Sequence, residues 1–149
     1  MDGGSFTVAT YRELKSEVID IKFNEENFWK YIDSRMGTIS RDLHEYLKVE
    51  QGLSTASGDP LVQVFESSRT ALGVEFLVHL LFEFDGDVRH ITGNYLLVAV
   101  GDDLMVHDFE RKFCVTLRKR ESGVQFWSPA FDEICSDMLS RLKSISPKI

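Results

Sequence analysis

Acidic side chains cluster at two predicted turns in the second half of the chain. One group surrounds the pair Asp85-Gly86, and the other begins at Asp102-Asp103. Alternate turns of an antiparallel meander lie at the same end of the sheet, and a predicted turn at Gly93-Asn94 separates these two. Carboxylates brought together repel one another unless a cation or a basic surface compensates them. The predicted site is Glu83, Asp85, Asp87, Asp102, Asp103 and Asp108.

Two leucines of the strand before the first acidic turn, Leu77 and Leu81, are predicted to supply exposed apolar anchors for a partner. Together with the carboxylates they predict a non-enzymatic module that binds a basic protein. Its most concrete form is an immunity-type protein that masks a cationic toxin or effector. A secretion-chaperone-like binder is the alternative; it would use an apolar face and depend less on ionic strength.

The histidines do not stand in a metal-ligand spacing. His90 and His107 could approach each other beside Asp85, Asp87 or Asp108, which is compatible with acid–base or metal chemistry and equally with solvated strand residues. The chain has no nucleophile elbow and no glycine-rich phosphate loop. We therefore expect no enzymatic activity, no catalytic residue, no metal site and no cofactor.

A basic segment formed by Arg111-Lys112 and Arg118-Lys119-Arg120 is a candidate for binding nucleic acid, with Phe113, Phe126 and Trp127 nearby. Phe113 alternates with Val115 and Leu117, which places it on a core face rather than on a stacking surface. The formal net charge of −7 also opposes contact with phosphates. The sequence therefore predicts no nucleic-acid partner.

Length and composition indicate a single domain over residues 1–149, since 149 residues with 43% hydrophobic side chains can bury a core. Cys114 and Cys135 stand in apolar contexts and are expected to be buried and reduced. No signal peptide and no apolar run of about 20 residues is visible. We therefore expect a cytoplasmic protein with no membrane contact.

The first half of the chain is predicted to be mostly helical. Residues 16–23 alternate apolar and polar types, which suggests an edge strand. Asn24 can cap a helix that Gly37 breaks or bends and that restarts toward Gly52. Asp59-Pro60 looks like the start of a further helix through Leu61, Val64, Phe65 and Leu72.

From Gly73 the apolar period changes to two, which predicts strands. The turns between them are too short for crossover helices, so the strands form an antiparallel meander. Ser128 and Pro129 then predict the start of an amphipathic helix whose apolar stripe includes Leu139, so Leu139→Asp is expected to unfold the protein. The predicted strands are residues 74–85, 88–92, 95–100, 104–109, 113–118 and 124–127.

These elements predict an α+β fold: amino-terminal helices, an antiparallel β-meander of about five to six strands, and a long amphipathic carboxyl-terminal helix packed on the sheet. In topology alone this order resembles helix-grip proteins, in which a curved sheet wraps the last helix around a ligand cavity. That resemblance implies a second class of function, small-molecule binding or hydrolysis, in a cavity lined by Tyr95, Phe109, Phe126 and His107.

Overall fold

A computed structural model describes residues 9–70 and 73–145 of the chain. Five strands form one antiparallel sheet in the order β1-β2-β3-β4-β5, with one helix before the sheet and one after it. The predicted α+β class is therefore confirmed. The elements are α1 (Tyr11–Leu47), β1 (Val62–Arg69), β2 (Gly73–Phe84), β3 (Asp87–Val100), β4 (Asp103–Asp108), β5 (Cys114–Leu117) and α2 (Val124–Ile145).

The chain divides into two compact units, residues 1–37 and residues 38–149. The first unit contains α1 up to Gly37. The second unit contains the last turns of α1, the whole sheet and α2. Folding of residues 1–149 as a single domain stays a prediction.

The β2–β3 hairpin has the predicted turn at Asp85-Gly86. Both residues adopt positive φ, 50° and 77°, and this left-handed pair gives the twist that tight hairpins need. Pairing then runs without a break from Phe84 opposite Asp87 to Gly73 opposite Val98. The alternating apolar residues of β2, from Val74 to Leu80, are buried as the period of two predicts.

β3 is one continuous strand, so the predicted turn at Gly93-Asn94 is wrong. Gly93 pairs with Val78 and Asn94 pairs with Leu77, both within the ladder. A Cβ on Gly93 would lie 2.6 Å from Cζ of Tyr95. The glycine is therefore needed because the Tyr95 ring lies against its backbone, and not because the chain turns there.

α2 packs on the sheet, as predicted. Its main contacts are with β5 and β3, and the Trp127 ring also meets the Phe76 ring of β2 with centroids 6.3 Å apart. A helix presents one apolar stripe to a sheet, and this stripe closes the core of the second unit. The buried residues of α2 are Phe126, Trp127, Ala130, Phe131, Ile134 and Met138.

The start of α2 and one of its predicted core residues differ from expectation. The helix begins at Val124, so residues 124–127 are not a strand and Ser128 is not its cap. The Ser128 hydroxyl instead donates to the Val124 carbonyl at 2.7 Å, and Pro129 lies inside the helix. The early start buries both Phe126 and Trp127. Leu139, by contrast, is half-exposed, so the reason for expecting Leu139→Asp to unfold the chain is absent.

The strand predicted at residues 16–23 is wrong, because α1 runs from Tyr11 to Leu47. Val18 and Ile21 of that segment also lie at helical spacing with Leu14, and this period prevails over the short alternation. Gly37 neither breaks nor ends the helix. In the second unit Tyr46 packs its ring on Phe131 of α2, with centroids 5.4 Å apart.

The helix predicted after Asp59-Pro60 is wrong, because residues 62–69 form β1. Val62 and Val64 lie opposite Leu80 and Val78 of β2, and the branched side chains pack on a strand neighbour instead of forming a helical stripe. The register shifts between Glu66 and Ser68, which marks a bulge. Leu72, the last residue of that predicted helix, lies outside the described residues.

Candidate functional site

The two predicted acidic turns lie at opposite ends of β3. One turn joins Phe84 to Asp87, and the other joins Val100 to Asp103. β3 has 14 residues, and at about 3.3 Å per residue its ends are separated by roughly 40 Å along the strand. The pooled carboxylates expected at one end of the sheet are therefore not formed. The expectation required a third turn within β3, which the continuous strand excludes.

The first acidic turn keeps three carboxylates close together in the chain, and two of them already have partners. Glu83 accepts hydrogen bonds from the backbone N–H of Ala56, at 3.0 and 3.3 Å from its two oxygens. Asp87 forms an ion pair with Arg89 at 2.9 Å. Asp85 is exposed at the tip of the hairpin. This end of the sheet retains an excess of negative charge.

The remaining acidic residues are divided between surface and interior. Asp102 and Asp103 are exposed at the β3–β4 turn. Asp108 is buried, and its Oδ1 accepts the backbone N–H of Phe113 at 3.2 Å. A buried carboxylate that satisfies a loop N–H serves the fold, so Asp108 does not join a surface for a partner.

Leu77 and Leu81 are half-buried and not exposed as expected, and the alternation of β2 places them on the face of the sheet opposite its buried residues. Leu77 pairs with Phe65 of β1 and Leu81 with His90 of β3. They share the outer face of the sheet with their cross-strand neighbours. His79 lies on the same face between them, so the two leucines are separated by a polar side chain. Their role as anchors for a partner stays a prediction.

The histidines of the sheet are not gathered into a site. His90 pairs with Leu81, whereas His107 pairs with Leu96 farther along β3, so the predicted approach of His90 to His107 does not occur. His79 instead lies beside His90, with ring centroids 5.6 Å apart. Within residues 9–70 and 73–145, no three metal-ligating side chains are placed to hold an ion.

An open apolar groove lies between α2 and the end of the sheet that carries the first acidic turn. It encloses about 690 Å³. The side chains on the core face of β2 line this groove and become more exposed toward the end of the strand. Leu80 is 8% exposed, Phe82 44% and Phe84 60%. The groove is lined by Leu47, Val49, Leu61, Val62, Leu80, Leu81, Phe82, Glu83, Phe84, Ile91, Cys135, Met138, Leu139 and Leu142.

Among the residues that the structure describes, Glu83 is the one charged residue of that lining, and its carboxylate accepts the Ala56 N–H. The groove therefore offers apolar contact and almost no polar group that could orient a small molecule.

Cys135 lies in the wall of the groove and is half-buried, whereas Cys114 on β5 is exposed. Both cysteines are unpaired, but the expected burial is wrong for Cys114. Burial and the charge of Asp132 raise the pKa of the Cys135 thiol.

The four residues expected to line one cavity, Tyr95, Phe109, Phe126 and His107, are divided between the core, the outer face of the sheet and a small pocket. Tyr95 and Phe126 are packed in the core, and His107 lies on the outer face of the sheet. Phe109 lines a small polar pocket of about 170 Å³ with Asp137 and Arg141. A cavity between sheet and helix does exist, but it is the apolar groove beside Cys135, Met138, Leu139 and Leu142 of α2.

Tyr95 joins the sheet to α2 through a hydrogen bond. Its hydroxyl donates to Oδ2 of Asp137 at 3.1 Å, and Arg141 lies 3.4 Å from the same carboxylate oxygen and donates to the Thr92 carbonyl. Burial, followed by the charge of Asp137 and its hydrogen bond, raises the pKa of Tyr95 well above its usual value, against a lowering effect of Arg141. The neutral phenol is therefore the form that the folded state favours.

This raised pKa predicts a loss of stability in alkaline solution. The unfolded phenol ionises near pH 10, so the contribution of Tyr95 is complete below about pH 10 and declines as pH rises toward its folded pKa. Tyr95→Phe should lower the free energy of unfolding by about 1–3 kcal/mol at neutral pH, and by less near pH 11. Urea denaturation of both proteins across this range measures the difference. A gap that stays constant with pH would contradict the assignment.

Sequence reasoning missed the groove, although one signal pointed to it. The alternation of β2 continues through Phe82 and Phe84, beyond what the buried stripe of α2 can cover.

No helix among the described residues combines the length and apolar character needed to cross a bilayer. Comparison of the chain with protein families, with curated protein sequences and with solved structures finds no match.

Proposed function

We propose that this chain is a non-enzymatic protein-binding module that holds an amphipathic, positively charged segment of a partner protein in its apolar groove. The observation that carries the proposal is the uncovered end of the core, an open groove of about 690 Å³ lined almost wholly by apolar side chains. Exposed apolar surface of this kind is typical of interaction sites in soluble proteins.

Three half-exposed side chains would supply most of the binding energy. Phe82 and Phe84 project from β2 and Leu139 from α2, so the two walls of the groove each present apolar surface to an occupant. Aromatic and aliphatic anchors that become fully desolvated dominate interface energies. A partner helix with apolar residues three and four positions apart would present a matching face.

The charge at the end of the groove favours a cationic partner. At the β2–β3 turn, next to the groove residue Phe84, the acidic residues Glu83, Asp85 and Asp87 carry three negative charges against one positive charge on Arg89. The whole chain is also negative, at −7. Basic residues flanking the apolar face of the partner would be attracted to this end, mainly through a faster encounter. A basic protein therefore remains the proposed partner, in a cytoplasmic setting.

Of the forms that this function could take, a chaperone-like holder of an apolar segment has more support than an immunity-type inhibitor. The inhibitor depended on pooled carboxylates, and the two acidic turns lie at opposite ends of β3. The holder depends on an apolar face, which the groove supplies. In this form of the function, the chain would mask a toxin or effector by binding an amphipathic segment of it in the groove.

A second candidate function is the binding of a small apolar molecule in the same groove. Its volume of about 690 Å³ is in the range of ligand pockets, about 300–1,000 Å³. Such a ligand would be held by apolar contacts along its hydrocarbon chain, because the Glu83 carboxylate already accepts a hydrogen bond from the Ala56 N–H.

The two cysteines provide a test with an internal control. Reaction with a maleimide should be fast at exposed Cys114 and slow at Cys135, whose raised pKa leaves little thiolate. A synthetic amphipathic peptide of Leu and Lys, about four helical turns long, should slow labelling of Cys135 further and leave Cys114 unchanged. Mass spectrometry of the labelled peptides measures both rates.

Two further probes separate the candidate functions. The same peptide with Glu in place of Lys should protect Cys135 less, and added salt should weaken protection by the Lys peptide. Protection by dodecanoate but by neither peptide would favour the small-molecule function. If no probe alters Cys135 labelling, the groove is not a binding site and the proposal fails.

A further inference from the structure

Within its own compact unit, the amino-terminal part of α1 carries an uncovered apolar stripe. Tyr11, Leu14, Val18 and Ile21 follow one another at intervals of three, four and three residues. Leu14 is 58% exposed, Val18 63% and Ile21 49%. Intervals that alternate between three and four are those of the a and d positions of a coiled coil, with Tyr11 and Val18 at a and Leu14 and Ile21 at d.

The two flanks of this stripe carry opposite charge. Lys15 and Lys22 occupy the e positions on one side, and Glu17 occupies the g position on the other. In a parallel pair of helices, g of one copy faces the e position five residues later in its partner, so Glu17 would face Lys22 on both sides. In an antiparallel pair, e would face e and g would face g, which sets Lys against Lys.

We propose that two copies of this chain associate through a parallel two-stranded coiled coil formed by residues 11–28 of α1. A helix gains most of its stability from packing its apolar face, and the stripe from Tyr11 to Ile21 is exposed within its own compact unit. A second copy covers the stripe and satisfies the charge pattern of its flanks. The inference is independent of the function proposed for the groove.

One residue limits the strength of this seam. Glu25 occupies the next a position, and Phe28 the d position after it. A parallel pair in register places the two Glu25 carboxylates near each other, which opposes association. Glu25→Leu should therefore strengthen the dimer about tenfold or more. Glu26→Leu, which adds the same side chain at a b position away from the seam, should leave the dissociation constant unchanged.

Sedimentation equilibrium of the full chain over a concentration series tests the proposal. The wild type is expected to dimerise, and Val18→Asp to be monomeric. Phe23→Asp is the matched control, because Phe23 is 61% exposed but lies at an f position on the far side of the helix. Circular dichroism verifies that each variant folds. A wild-type chain that remains monomeric up to about 1 mM would overturn the proposal.

Charge variants test the orientation. In the parallel pair Lys22→Glu places a new carboxylate opposite Glu17 of the other copy and should weaken association at least about fivefold, while the added substitution Glu17→Lys should restore it. In an antiparallel pair Lys22→Glu removes repulsion with Lys15 and should strengthen association. Strengthening by Lys22→Glu, or equal loss of dimer in Val18→Asp and Phe23→Asp, would overturn the parallel seam.

Discussion

Replacing Trp127 by alanine is expected to lower the free energy of unfolding by about 3–5 kcal/mol. Trp127 is fully buried, and its ring contacts Phe126 and Phe131 with centroids 5.1 and 5.9 Å apart. It also reaches Phe76 on β2. Because small domains are stable by only about 5–15 kcal/mol, this loss should be evident in urea denaturation as a much lower midpoint.

The control for this prediction is Trp127→Phe. The indole N–H of Trp127 is buried and has no acceptor among the described residues. Phenylalanine removes that unsatisfied donor and keeps most of the ring surface, so it should cost far less than alanine. Equal losses for the two variants would show that a hydrogen bond of the indole, and not ring packing, holds α2 on the sheet.

Replacing Leu139 by aspartate is expected to abolish protection of Cys135 by the Leu/Lys peptide while changing the unfolding midpoint little. Leu139 is 52% exposed in the wall of the groove, so a carboxylate there can remain hydrated in the free protein but must be desolvated by an occupant. We expect binding to weaken by at least about tenfold, or about 1.4 kcal/mol.

Met138→Asp is the matched variant, one residue away and only 3% exposed. It should strongly destabilise the fold because it buries a charge without a partner. Thermal unfolding of both variants, followed by maleimide labelling of the folded one, separates a role in binding from a role in the core. If Leu139→Asp is unfolded at room temperature, Leu139 belongs to the buried stripe of α2, and the prediction is wrong.

The sheet shows where local pattern was sufficient and where it was not. β2 could be predicted because its alternation is long and its turn, Asp85-Gly86, has residues that tolerate positive φ. Gly93 was misread because a glycine needed for packing looks the same in sequence as a glycine needed for a turn. The Tyr95 ring that occupies the space beside it is recognisable only once the strands are aligned.

The helices show a second limit. Residues 16–23 fit a strand over eight positions and a helix only when Leu14 and the residues beyond are counted, so a short window favoured the wrong period. Before and within β1, Leu61, Val64 and Phe65 fit a helix by spacing, but Val64 and Phe65 pair with Val78 and Leu77 of another strand. Long-range pairing decided the structure of this segment, and local pattern does not contain it.

The candidate site was harder to predict than the fold. Whether carboxylates gather depends on the number of turns between them, so one misplaced turn moved Asp102 and Asp103 to the other end of the sheet from Asp85. The groove depends on where α2 ceases to cover β2. Phe82 and Phe84 were visible as apolar residues, but their exposure follows from the length and placement of another element.

The bulge in β1 has a consequence for how the molecule behaves at high concentration. β1 is an outer strand of the sheet, with one row of backbone groups facing away from β2. A flat outer strand with Phe65 exposed would invite another sheet to add itself and begin a fibril. The register shift between Glu66 and Ser68 bends that strand, and the charges of Glu66 and Arg69 accompany it. The bulge and the charged side chains therefore hinder pairing of another sheet with β1, which protects the chain against fibril formation.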